Sequence, residues 1–307
     1  MPGTRLLIVP VSLRTTDPSI ATEMLDGFLS LADTTLDFGD ATPFDYPAPT
    51  VALDRALVSF DWLRHVRAAE SHEADARARD ITLRFLELHG RHRRSAPAAH
   101  RAWKTRIVAR RLVNWLAASP TLIDGVDGPT YDAVLDHINR MLSFLMRRGP
   151  EHEDETVRLD AAIAAVYGGL CLDEQDALLD DAVSWLVDEL DAQFREDGSH
   201  ISRRSSVLVE MCLDLLPLKQ CFAVRDRIPP TQLQPVIQNA LGMIRFMRLG
   251  DGSLARFHGN GPTWPDRIAA VLAHDENPGS PRIEAPASGY MKMQRRQSII
   301  LMDGGPV

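Results

Sequence analysis

Residues 196–205 read EDGSHISRRS, and residues 250–261 read GDGSLARFHGNG. An Asp-Gly pair stops a helix at low cost, because glycine takes the left-handed backbone conformation that such a stop requires. Each pair is followed by serine and then by His and Arg, and the two aspartates, Asp197 and Asp251, stand 54 residues apart. That distance is one helical hairpin. The two turns are therefore predicted to lie at the same end of a helical assembly.

Working outward, helical periodicity governs the chain on both sides. The run LDRALVSFDWLRHVRAAE (53–70) sets Leu53, Leu57, Phe60, Leu63 and Val66 on one face, at spacings of three and four. Further helices are predicted over 72–90, 99–118, 129–149, 157–171, 174–195, 205–225 and 229–250. Pro129 and Gly149 suit the two ends of the fourth run, and Pro217 predicts a kink in the seventh. Eight helices then form four consecutive hairpins with short connections, which favours antiparallel neighbours. A helix of about 20 residues is about 30 Å long, so the turns alternate between two well-separated ends. The loops 91–97, 149–155, 197–204 and 251–262, which hold the His- and Arg-rich stretches, fall on one of them. The expected fold is mainly α: an α/α toroid of antiparallel hairpins over 53–285 whose loop-bearing rim would bind a ligand.

Composition narrows the function classes. The chain has 307 residues, 45% hydrophobic and 25% charged, with a formal net charge of −8. That field disfavours nucleic acid and anionic membranes as partners. No apolar run reaches the roughly 18 residues of a membrane helix. The N-terminal apolar stretch LLIVPV (6–11) is too short for a secretory signal and is broken by Pro10. The chain as written is expected to be cytoplasmic, or periplasmic if a signal lies upstream. Cys171, Cys212 and Cys221 sit in apolar helical patterns and read as core residues. Residues 1–52 read as a mixed, partly loop-like segment, and RRQSIILMDGGPV, at the other end of the chain, as a strand with an Asp-Gly-Gly turn. A lone strand is unstable, so residues 286–307 are expected to open a β-rich domain of which the rest is missing.

Several side chains carry candidate chemistry. His200 follows a helix stop and titrates near neutral pH, so it is a candidate proton carrier or a ligand clamp; the plainer reading is a helix-end cap. Arg203, Arg204 and Arg256 are candidate carboxylate grips, since a guanidinium binds a carboxylate through two parallel hydrogen bonds. His258 and Asn260 sit among glycines that admit a ligand close to the backbone, or serve the turn alone. Asp197 and Asp251 fit an acid and base pair for glycoside hydrolysis, but Asp before Gly is above all a turn residue. Trp264 beside the glycine loop is a candidate for stacking on a sugar ring, whereas Trp62, Trp115 and Trp185 read as core. P-loop, dinucleotide, nucleophile-elbow and zinc signatures are absent from the sequence.

The stretches FDWLRHVRAAE (60–70), RRLVNWLAASP (110–120), DGSHISRRSSVLVEMCLDLLPLKQCF (197–222), LGDGSLARFHGNG (249–261) and SGYMKMQRRQSIILMDGGP (288–306) together resemble the heparinase II/III-like proteins of α-proteobacterial type. The resemblance implies an α/α toroid followed by an antiparallel β-sandwich that begins near Ser288–Gly305. It implies a lyase that breaks acidic, uronate-containing polysaccharides by β-elimination. In such a reaction the uronate carboxylate is neutralised, a base removes the C5 proton and an acid protonates the leaving oxygen. On that reading His200 or His258 is the base, Asn260 the neutraliser, Arg203, Arg204 and Arg256 the grips, and Trp264 a sugar contact. The chain also departs from the family pattern. Val207-Leu208 stand where lyases carry a Tyr-His pair, and Glu155-Thr156-Val157 where they carry Asn-Asn-His. The alternative implied is a glycan-binding or scaffold toroid without catalysis. No cofactor is expected from these residues, and a metal is left open for the sandwich.

Overall fold

Phe60 decides how the first helical run folds. The expected single helix over 53–70 is two, α2 (Val51–Val58) and α3 (Leu63–Ala69), because Phe60 takes a left-handed backbone conformation (φ 59°). Its ring packs with Phe44, Trp62, Phe85 and Trp115, at centroid distances of 4.9–5.8 Å. The break frees carbonyls at the end of α2. Arg111 donates to the Val58 carbonyl at 2.9 Å, and Asn114 donates to that of Ser59 at 2.8 Å and to Asp61. The fully buried Arg111 also bonds the Ala102 carbonyl and lies 4.8 Å over the Phe85 ring. Burial pushes its guanidinium down to about 9.

The structure, a computed structural model, describes residues 5–91, 101–275, 278, 282–296 and 298–305. The loop expected over 91–97 lies, after Arg91, outside the described residues, as does the start of the helix expected over 99–118. Compactness divides the chain into two units, residues 1–11 with 16–182, and residues 12–15 with 183–307. In the first, α1 (Ser19–Leu25) is followed by an antiparallel hairpin of β1 (Phe28–Leu31) and β2 (Thr34–Asp37), then by α2, α3 and α4 (His72–His89). After these come α5 (Thr105–Ala117), the short α6 (Ser119–Ile123), α7 (Gly128–Arg148) and α8 (Glu155–Cys171). Asp127 caps α7 through the Thr130 amide, and Asp154 caps α8 through those of Thr156 and Val157. The acidic tip at 151–154 thus has a local backbone use. Helix α8 is buried on almost every side and packs on α5 and α7, as a helix that is apolar all round must. The N-terminal apolar stretch pairs with its end: Leu6 bridges Leu172, and the Leu7 amide donates to the Cys171 carbonyl at 2.7 Å.

The unit boundary falls inside α9 (Asp176–Gln193). The second unit holds α10 (Ser205–Val224), which runs through Pro217 and packs against α11 (Leu233–Met247) and α12 (Pro265–Leu272). Helix α12 was not expected from periodicity, though Pro265 marks its first turn. Three antiparallel strands follow in the order β3 (Glu284–Ala285), β4 (Tyr290–Arg295) and β5 (Ser298–Asp303). Among the described residues no helix is long and apolar enough to cross a membrane. Trp62, Trp115 and the three cysteines are buried as expected, while Trp185 is half-buried with its indole N–H on Glu189.

Within the second unit Arg14 joins Asp214 at 2.6 Å and Glu210 at 3.2 Å, and Glu210 also takes Arg267. Arg14 and Asp214 are withdrawn from water, with side chains 9% and 5% exposed. Removing one member strands the other charge in a low-dielectric site. Arg14→Ala is therefore expected to lower the unfolding free energy by about 3–5 kcal/mol in a urea titration of the full-length protein. A loss under about 1 kcal/mol contradicts the ion pair described here.

Candidate functional site

The two Asp-Gly-Ser turns have one backbone plan. After α9, Phe194 bridges His200, the Arg195 amide bonds the Ser199 carbonyl and the Ile201 amide bonds the Gln193 carbonyl. After α11, Arg248 bridges Leu254, the Leu249 amide bonds the Ser253 carbonyl and the Ala255 amide bonds the Met247 carbonyl. Every partner is displaced by the same 54 residues that separate Asp197 from Asp251. Each aspartate accepts from the amide and the hydroxyl of the serine two places on: 3.0 and 2.6 Å at Ser199, 2.9 and 2.7 Å at Ser253. The repeat is thus a small hairpin that closes a helix, fastened by an aspartate turn.

The aspartates differ beyond that plan. Asp251 is exposed. Asp197 is buried, and its second oxygen accepts from the Ser288 amide and hydroxyl, both at 2.7 Å. Burial alone would raise its pKa, but the bonds from Ser199 and Ser288 outweigh it and hold the carboxyl below its ordinary range. Gly198 is forced by the same turn. Its φ is +78°, and a Cβ there would collide with the Asn239 carbonyl.

His200 is 1% exposed, with both ring nitrogens engaged. The Ser202 amide donates to Nδ1 at 3.0 Å, so the network assigns the proton to Nε2, which donates to the Gln193 side-chain oxygen at 2.8 Å. Gln193 in turn donates to Glu189 at 2.5 Å. Asn260 is also buried. Its oxygen accepts from the Ser206 amide at 2.9 Å. Arg204, in the N-cap position of α10, supplies no side-chain cap, so Asn260 satisfies that helix end from 54 residues away.

Arg203 and His258 converge on one carboxylate. Arg203, in the left-handed region (φ 55°), reaches Asp303 Oδ1, while His258 Nε2 lies 2.8 Å from Asp303 Oδ2. Burial would raise the Asp303 pKa, but the Gly305 amide, Arg203 and His258 lower it. The Arg203 guanidinium lies 5.0 Å over the Tyr290 ring, whose hydroxyl donates to the Arg203 carbonyl at 3.1 Å. Phe257 stacks on that ring at 5.3 Å. Burial pushes the Tyr290 phenol up to about 12.

Of the residues read from sequence, Arg203 and His258 are therefore brought together. His200 and Asn260 are placed in the turn scaffold, and Asp197 and Asp251 in separate aspartate turns. Arg204 is half-buried, Arg256 is exposed, and Trp264 is 59% exposed at the start of α12. The groups that sequence reasoning missed are Asp303, Ser288 and Gln193. Asp303 was visible only as the first residue of an Asp-Gly-Gly turn. Among the described residues no three His, Cys, Asp or Glu side chains gather where a metal could sit.

No protein-family model matches the chain. FtsZ-localized protein C of Caulobacter vibrioides (strain NA1000 / CB15N) is 32% identical over 302 residues, covering 97% of this chain and 50% of that protein. Among solved structures, heparinase III superposes with a TM-score of 0.70 at 11% identity, over 98% of this chain and 55% of that one. A mutant of the heparan sulfate lyase HepC from Pedobacter heparinus gives 0.65 at 12% identity, over 96% and 53%. The chain spans about half the length of the curated relative and of the solved structures that it matches. At such identities the structures speak for architecture alone, and what they establish is a heparinase II/III-like fold of the α/α-toroid class, with a small antiparallel sheet near its C-terminal end.

Proposed function

We propose that this chain is a non-catalytic scaffold on a heparinase frame, one that holds an acidic glycan without cleaving it and works, as the name of its Caulobacter relative implies for that protein, in the setting of FtsZ. The observation that carries this reading is the use to which the polar groups of the two turns are put. β-Elimination needs a base with an available nitrogen or phenolate, a neutraliser facing the uronate and an acid at the leaving oxygen. His200 has both nitrogens engaged, Asn260 caps a helix, and Tyr290 is buried with a raised pKa and a bonded hydroxyl. At the positions where the resemblance places a catalytic Tyr-His pair stand Val207, half-buried, and Leu208, buried, two side chains that carry no titratable proton. The exposed Arg256 and Trp264 remain for glycan contact.

One feature favours a second reading, β-elimination with His258 as base. Its imidazole is partly open to solvent, and Nε2 is held by the Asp303 carboxylate at 2.8 Å, which fixes the orientation of the ring. Full-length protein incubated with a panel of uronate polymers separates the two. The scaffold reading expects binding by calorimetry, weakened in Arg256→Ala and Trp264→Ala, with no growth of the near-ultraviolet absorbance of an unsaturated product. Growing absorbance that His258→Ala abolishes establishes the lyase instead.

The structural role given to the turns has its own signature in acid. Asp197 and Asp303 have depressed pKa values in the folded protein. The stability they add is fully present above the unfolded carboxylate value of about 4 and is lost as the pH falls through their folded values. Asp197→Asn is expected to cost about 2 kcal/mol at neutral pH and to flatten the acid limb of a stability-against-pH curve. A variant whose acid limb matches that of the parent protein contradicts the fastening role.

A further inference from the structure

The first unit carries a cleft that the turn chemistry does not touch. It has a volume of about 910 Å³, within the range of small-molecule sites. Among the described residues four arginines line it, Arg91 just past the end of α4 and Arg140, Arg147 and Arg148 from α7, against one carboxylate, Asp136. The described lining is formally +3 in a chain whose net charge is −8. Trp103 and Phe144 form an apolar wall, with ring centroids 5.3 Å apart.

Local structure accounts for part of this charge. Arg147 and Arg148 stand in the last turn of α7, where cations complement the helix dipole. Arg140 leans on Asp136 at 3.6 Å, one turn away, and Arg147 donates to the Ser143 carbonyl at 3.1 Å. Arg91 and Arg148 have neither hydrogen bond nor ion pair among the described residues, and helix C-terminal complementarity does not explain Arg91 or Arg140. Like charges gathered around one volume repel, so the arrangement is favourable only when an anion enters it.

We infer that this cleft binds a phosphorylated small molecule with a flat apolar portion, of the nucleoside phosphate class. Several negative charges must be concentrated within one small-molecule volume to match four guanidiniums, which di- and triphosphates achieve and the spaced carboxylates of a glycan do not. The planar guanidinium fork binds phosphate oxygens through paired hydrogen bonds. The wall of Trp103 and Phe144 receives the uncharged part.

Titration calorimetry of the full-length protein at low salt, with ATP, inorganic pyrophosphate and an unsulfated uronate oligosaccharide as probes, tests this. ATP is expected to bind, more weakly as salt is raised, and pyrophosphate to bind at least about tenfold more weakly for want of the apolar part. Arg91→Ala with Arg148→Ala is expected to weaken ATP by about 100-fold, roughly tenfold per charged contact. Both side chains are exposed, so circular dichroism and the melting temperature should stay unchanged. The inference is overturned if ATP does not bind, if the double variant binds it as the parent does, if pyrophosphate binds as tightly as ATP, or if the uronate oligosaccharide alone occupies the cleft.

Discussion

A carboxylate out of contact with water must be surrounded by donors, and Asp197 is surrounded by four. Two belong to Ser199 and make the turn that closes α9. Two belong to Ser288 and hold the segment just before β4. One side chain therefore sets both the local geometry of a helix stop and the start of the C-terminal strands. The ion pair of Asp303 with Arg203 then returns the end of β5 to the same turn. Asp251, with the same local bonds but no partner from the strands, shows what the turn is without that second duty: an exposed loop fastening and nothing more.

The helices were legible in the sequence because burial imposes a period of 3.6 residues on whatever faces the core. The break at Phe60 was not, since Phe60 satisfies that period while its backbone does not, and the donors that make the break tolerable lie some fifty residues on, at Arg111 and Asn114. The β1–β2 hairpin was hidden for a related reason. Its turn residues are Ala32 and Asp33, both at positive φ, where an Asn-Gly or Asp-Gly pair would have signalled it. The twin turns were read correctly as one motif, because Asp-Gly-Ser is a local instruction. What they do with their neighbours was not local and could not be read. His200 faces Gln193 and Asn260 faces the end of α10 through contacts that no spacing rule encodes.

That pattern bears on the proposal that the chain keeps a heparinase-like frame without lyase chemistry. In a fold built from helical hairpins, each helix end exposes amides or carbonyls that need partners. A polar residue at a helix end that could carry chemistry is therefore also called on to cap backbone, and serves two competing demands. Within each unit several polar residues meet the structural demand. Asn260, Asp154 and Asp127 cap helices, and Arg111 and Asn114 satisfy carbonyls.

His258 is the exception that makes the argument discriminating. It is the one histidine of the two turns whose ring is partly open to solvent and held by a carboxylate rather than by the turn scaffold. Yet that carboxylate also carries Arg203, on its other oxygen. The contact that fastens β5 to the first turn and the contact that orients His258 draw on the two oxygens of one carboxylate, and the arginine, buried and lying over the Tyr290 ring, is the partner that the packing holds in place.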